Sequence, residues 1–110
     1  MVASLGSGAA AIGHLNVNPD VDGGIRTEPL VLAHFNEIYP ALSLMIAAKS
    51  LNLGVADIKV KLGDSVRLGS LKIGTDPVMQ MNTFFYKDRD GKPAFQVDSF
   101  FDVASGKIPL

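Results

Sequence analysis

The segment Pro19-Asp20-Val21-Asp22-Gly23-Gly24 constrains the fold of this chain more than any other. The pyrrolidine ring fixes φ at Pro19, the Asp20 and Asp22 carboxylates can hydrogen-bond their own backbone, and Gly23-Gly24 supply the positive φ that a chain reversal requires. A rigid acidic turn is therefore predicted, with an extended segment on each side. Ahead of it, Leu15 and Val17 alternate with Asn16 and Asn18, which predicts a half-buried strand over 14–18. Behind it, 25–35 reads as a second strand, its register broken at Pro29 and its apolar run through Ala33 suggesting burial on both faces. The turn brings two carboxylates close to the guanidinium of Arg26, which can fold back on Asp20 or Asp22 as an ion pair or offer itself to an anionic ligand.

Further along, Pro40 suits the first turn of a helix and Gly54 its end, so a helix is predicted over 40–53, the most buried of the chain. The chain turns at Asn36-Glu37 before it. Ile58, Val60 and Leu62 alternate with Lys59 and Lys61; Gly63-Asp64 and Gly69-Ser70 then turn the chain into Val66 and Leu68 and into Leu71 and Ile73. That pattern predicts a meander of short antiparallel strands. Asp76-Pro77 breaks the chain, and a strand over 78–86 is predicted to put Met79, Met81, Thr83 and Phe85 on one face, leading into a second turn at Asp88-Arg89-Asp90-Gly91. Asp98 or Ser99 caps a last helix that Gly106 stops, with Phe100, Phe101, Val103 and Ala104 offered to the core. The expected fold is a single α+β domain over 1–110, a largely antiparallel sheet of about five to seven strands packed by one long and one or two short helices. Residues 3–12, rich in Ala, Gly and Ser, are read as a short helix or a frayed end.

Composition narrows the function. Hydrophobic residues make up 47% and charged residues 19% of 110 residues, a globular balance. A net charge of −1 gives no broad attraction to a phosphate backbone, so nucleic acid is a poor partner. There is no cysteine, which excludes disulfides, thiolate metal sites and cysteine nucleophiles. No run of about 18 apolar residues is present to span a bilayer.

The spacing Asn18-x-Asp20-x-Asp22-Gly23 matches the first half of a calcium loop, but Pro29 stands where the closing bidentate glutamate is needed, so no metal site is assigned. A calcium-stabilised extracellular module with no signalling role is the alternative this spacing leaves. His14 and His34 fall too far apart for a shared metal, and a partly buried, hydrogen-bonded state is expected for His14. Ser43, His34 and Asp57 could be assembled into a triad on paper, yet no Gly-x-Ser-x-Gly elbow frames any serine. No catalytic residue and no cofactor are assigned, and an enzyme is not expected.

Four motifs stand in order along the chain. They are Gly13-His14-x-Asn16-Val17-x-Pro19-Asp20-x-Asp22-Gly23-x-x-Arg26; Tyr39-Pro40-Ala41-Leu42-Ser43-Leu44; Asn82-Thr83-Phe84-Phe85-Tyr86; and Ser99-Phe100-Phe101-Asp102-Val103-Ala104-Ser105-Gly106-Lys107-Ile108-Pro109. Together they resemble the second class of CHASE domain, the cyclase- and histidine-kinase-associated sensory extracellular module of membrane-bound bacterial signalling proteins. The resemblance covers positions 12–109. It implies a periplasmic or extracytoplasmic domain that senses a small-molecule or protein ligand, works as a homodimer and reaches the membrane through flanking segments. The implied output is a nucleotide or diguanylate cyclase, a histidine kinase or a Ser/Thr kinase. It also implies a recurrent signature turn, here Asn18, Asp20, Asp22, Gly23 and Arg26, in a ligand-binding or structural role. Relatives continue with a strand of the type G-K-x-V-x-x-G after the Ile108-Pro109 point, so the chain is expected to be a piece of a longer receptor.

Overall fold

The computed structural model describes residues 3–109. A short helix α1 (Ala3–Gly6) precedes β1 (Thr27–Pro29), β2 (Val31–His34) and β3 (Glu37–Pro40). Helix α2 (Leu42–Ser50) and a 3-10 turn (Val55–Asp57) then lead into β4 (Ile58–Lys61), β5 (Ser65–Leu68) and β6 (Leu71–Gly74); β7 (Gln80–Asn82) and α3 (Phe100–Ala104) follow. The fold is α+β and every strand pair is antiparallel. The seven strands do not form one sheet, however. They divide into β1-β7, β2-β3 and β4-β5-β6.

The division starts at Leu30. Its N–H donates to the Met79 carbonyl and its own carbonyl accepts from Ala41 N–H, so one residue serves two different neighbours. The chain thereby leaves β7 and joins β3, and the single strand expected over 25–35 is two. Burial on both faces holds at Pro29, Leu30 and Val31 and is lost by Ala33. Phe35 and Asn36 both take positive φ, 47° and 65°, closing a two-residue hairpin between His34 and Glu37. The reversal is thus centred one residue before Asn36-Glu37.

Helix α2 buries Leu44, Met45 and Ala48 along one side. Pro40 ends β3 instead of starting the helix, and Ala41 occupies the N-cap. At the other end Leu53 N–H donates to Ala48 O at 2.8 Å and Asn52 N–H to Lys49 O at 3.1 Å, with Asn52 at φ 57°. That is a Schellman stop built on asparagine, which tolerates the left-handed conformation, two residues before the glycine expected to provide it. Gly54 instead caps the 3-10 turn, its N–H donating to Asp57 Oδ2.

The meander β4-β5-β6 follows the predicted alternation. Val66 and Leu68 are buried on its inner face, and with Leu30, Val31, Leu44, Ala48 and Met79 they form the core. Met79 enters it from a loop in which Asp76 Oδ1 accepts Val78 N–H and Gln80 N–H, and the Met79 sulfur accepts Gly63 N–H. The strand expected over 78–86 shrinks to Gln80–Asn82, because Thr83 bonds to Arg26 O and β1 offers no further partner.

Beyond Thr83 the chain leaves the core. Asp90 and Gly91, both at positive φ, turn the predicted acidic hairpin, with Arg89 and Lys92 exchanging two backbone bonds. Phe100 and Phe101, expected in the core, are 86% and 75% exposed. Helix α3 has five residues and buries none of them, too short to lay an apolar stripe on a neighbour. The radius of gyration, 16.3 Å, exceeds the value of about 13 Å for a compact chain of this length, in keeping with a C-terminal stretch that lies off the core.

Candidate functional site

The signature turn is assembled at the entrance to β1. Asp20 N–H donates to Gly24 O at 2.7 Å and Gly23 N–H to Asp20 O at 2.9 Å, which closes the reversal, with Gly23 at φ 81°. Asp22 Oδ1 accepts Gly24 N–H at 2.9 Å, an Asx turn. Arg26 then folds back over both carboxylates. Its Nη1 donates to Asp20 Oδ2 at 2.7 Å and to Asp22 Oδ1 at 2.9 Å, and its Nη2 to Asp22 Oδ2 at 2.7 Å. A Cβ at position 24 would lie 2.9 Å from Arg26 Nη1, so a larger residue there would push the end of the arginine side chain aside.

Electrostatics follow the geometry. The bond from Arg26, aided by the Gly24 amide, lowers the Asp22 pKa to about 2, and the two carboxylates raise that of Arg26. The cluster lies in solvent, with side-chain exposures of 60% for Arg26 and Asp22. Screening by water limits what such a pair adds to stability, and its main effect is to hold the turn in one shape. Thr83 fastens that shape to the body by donating its N–H and its hydroxyl to Arg26 O. Asn18 is exposed and lies outside this hydrogen-bond cluster.

The arrangement is poorly suited to a cation. Both Asp22 oxygens and Asp20 Oδ2 are bonded to Arg26, so a metal would have to displace the guanidinium. Among the described residues no group of three or more His, Asp or Glu is placed to hold a metal.

The expected strand over 14–18 is absent; one bridge, between His14 and Ala41, stands in its place. His14 N–H donates to Pro40 O at 3.0 Å and Leu42 N–H to His14 O at 2.9 Å, so the chain runs parallel to the start of α2 and satisfies one of its unpaired amides. The two segments flanking the Asp20–Gly24 turn do not pair as a hairpin, since the incoming arm is committed to the helix. A Cβ at Gly13 would lie 2.4 Å from Leu42 Cα, which accounts for glycine there. Sequence reading missed this contact, because Gly13 and Leu42 are distant in the chain and a glycine demanded by close approach looks like any other. His14 is partly buried; its Nδ1 accepts Asn16 N–H at 3.3 Å while Nε2 is buried without a partner. Burial lowers its pKa, opposed by the charge of Glu28.

The residues of the paper triad are engaged separately. Ser43 donates to Glu28, Asp57 accepts from Gly54, and the His34 ring sits edge-on to Phe35. A cavity of about 350 Å³ lies between the β2-β3 hairpin and β4, lined mainly by Val31, Ile38, Pro40, Val55, Ile58 and Val60.

No curated protein and no solved structure matches the chain in comparison. The family description of the CHASE2 domain matches residues 2–110, nearly the full length. Domains of this family are extracellular sensory modules of signalling receptors. With that match over nearly its full length, the chain belongs to the CHASE2 domain family.

Proposed function

We propose that this chain is the extracytoplasmic, ligand-sensing domain of a bacterial transmembrane signalling protein. Its output is a nucleotide or diguanylate cyclase, a histidine kinase or a Ser/Thr kinase on the cytoplasmic side. The observation that carries the reading is the CHASE2 match over residues 2–110. No helix among the described residues is long and apolar enough to cross a membrane, so the reading requires flanking segments to do so. Signalling follows from differential affinity: a small-molecule or protein ligand that favours one arrangement of the domain shifts the output by that difference and no more. Because such outputs work in pairs, the domain acts as a homodimer. The signature turn, with its carboxylates bonded to its own arginine, serves as a structural clasp within this reading.

A topology reporter tests it. Alkaline phosphatase, active only outside the cytoplasm, is fused after Leu110 in the full-length protein and expressed in bacteria. High phosphatase activity is expected; an inactive fusion that becomes active only when the reporter is a cytoplasmic one would overturn the reading.

A further inference from the structure

Four of the ten Lys and Arg residues lie in 58–74, a stretch with one carboxylate, in a chain whose net charge is −1. The register of the meander decides how they are arranged. Lys59 stands directly opposite Arg67, and Arg67 directly opposite Lys72. Three cations therefore form a row across β4, β5 and β6, on the face that turns away from the buried Val66 and Leu68. Facing residues in such a row have Cβ atoms about 5 Å apart, and like charges so placed repel. Lys61, two residues from Lys59, shares the face.

Compensation is thin. Asp64 lies 3.8 Å from the Lys61 Nζ and 3.9 Å from the Lys72 Nζ. Among the described residues, no carboxylate forms an ion pair with Lys59 or Arg67. A shallow cavity of about 140 Å³ lies over the row, lined by these cations, Asp64 and the buried Ser65.

We propose that this row binds a phosphate-bearing anion with more than one negative charge. Arg67, at the centre, presents a planar fork that matches two phosphate oxygens, and Lys59 and Lys72 flank it as point charges. The row is two strand spacings wide, about 10 Å, which a diphosphate-sized anion can engage and a lone carboxylate cannot. The phosphate can come from a lipid headgroup or from a free anion. The inference deepens the sensory reading by naming a ligand class, and it rests on that reading for its role in signalling; the binding itself rests on the meander alone.

A row built for an anion carries a signature that an ordinary solvated surface lacks: the charge that binds also strains the empty protein. The 110-residue chain is titrated calorimetrically with sodium diphosphate at fixed ionic strength and melted with and without it. Diphosphate is expected to bind and to raise the Tm. Arg67→Gln is expected to weaken binding about tenfold or more while raising the Tm of the anion-free chain, and Lys87→Gln, outside the row, to change neither. If Arg67→Gln does not fold, Lys59→Gln with Lys72→Gln serves instead. Co-sedimentation with vesicles distinguishes the source. Retention on vesicles of cardiolipin, whose headgroup bears two phosphates, but not on phosphatidylcholine, lost in the variant, assigns a lipid headgroup; diphosphate binding without retention assigns a free anion. Absence of both, or binding that the row variants leave unchanged, overturns the proposal. That failure leaves the sensory reading intact, because the latter is decided by the topology of the full-length protein.

Discussion

Gly13→Ala isolates a contact between the signature motif and the helix. The added Cβ would lie 2.4 Å from Leu42 Cα and 2.5 Å from Leu42 N, both backbone atoms, so the chain at 13–14 has to move away. Two hydrogen bonds go with it, His14 N–H to Pro40 O and Leu42 N–H to His14 O. Each is worth about 1 kcal/mol net, so the local loss is about 2 kcal/mol. Alanine also restricts the unfolded chain, an opposing gain of about 0.4–1 kcal/mol. Gly8→Ala supplies the reference, because a Cβ there meets nothing nearer than Leu5 O at 3.8 Å and carries the same unfolded-state gain. The two variants are therefore expected to differ by about 2 kcal/mol in urea unfolding, or about 8–16 °C in Tm for a domain of this size. Equal stability of the two variants would refute the assignment of Gly13-His14 to the helix start.

The clasp in the turn is tested by a double-mutant cycle. Asp22→Asn and Arg26→Gln are each expected to lower stability, the double variant to be no worse than either alone, and all three effects to shrink in concentrated salt; additive losses would remove the ion pair from the account. Because the Asp22 pKa is lowered to about 2, its contribution is fully present above the ordinary value of 3.8 and is lost as pH falls through about 2, so Asp22→Asn should matter at neutral pH and not in strong acid. His14 is lowered too, so its neutral form supports the fold fully above 6.5, and that support is lost as pH falls below this value through the folded-state pKa. Urea midpoints of His14→Gln and the parent chain should therefore converge as the pH drops from neutral to mildly acid; parallel curves would contradict the burial of its ring. Leu68→Ala, at a side chain 1% exposed in the core, is expected to cost about 2–5 kcal/mol in chemical unfolding, and a loss below about 1 kcal/mol would displace Leu68 from the core.

Local chemistry was legible in the sequence wherever neighbours in the chain decide the structure. The meander follows from the alternation of Ile58 and Val60 with Lys59 and Lys61, and the turns at Gly63, Gly69 and Asp90-Gly91 follow from residues that take positive φ. The turn at Asp20–Gly24 is of the same kind. What was not legible depends on distant partners. Leu15 and Val17 alternate as a strand does, but the backbone of His14 is taken by Pro40 and Leu42, and the alternation finds no sheet. The run from Thr27 to His34 changes partner at Leu30, which periodicity does not report. Phe100 and Phe101 are apolar enough for a core, yet burial needs a facing surface, and a five-residue helix brings none. The cation row illustrates the converse: Lys59, Arg67 and Lys72 look unrelated along the chain until strand register sets them side by side.

The sensory reading requires that this CHASE2 domain be joined through a membrane span to an output domain on the other side. The most direct measurement is to read the encoding frame on both sides of the segment and to test its flanks for membrane insertion. Apolar helices of about 20 residues beside the domain, with a cyclase or kinase domain beyond them, are the expected result. A frame that stands alone and stops near Leu110, with no span on either side, would contradict it.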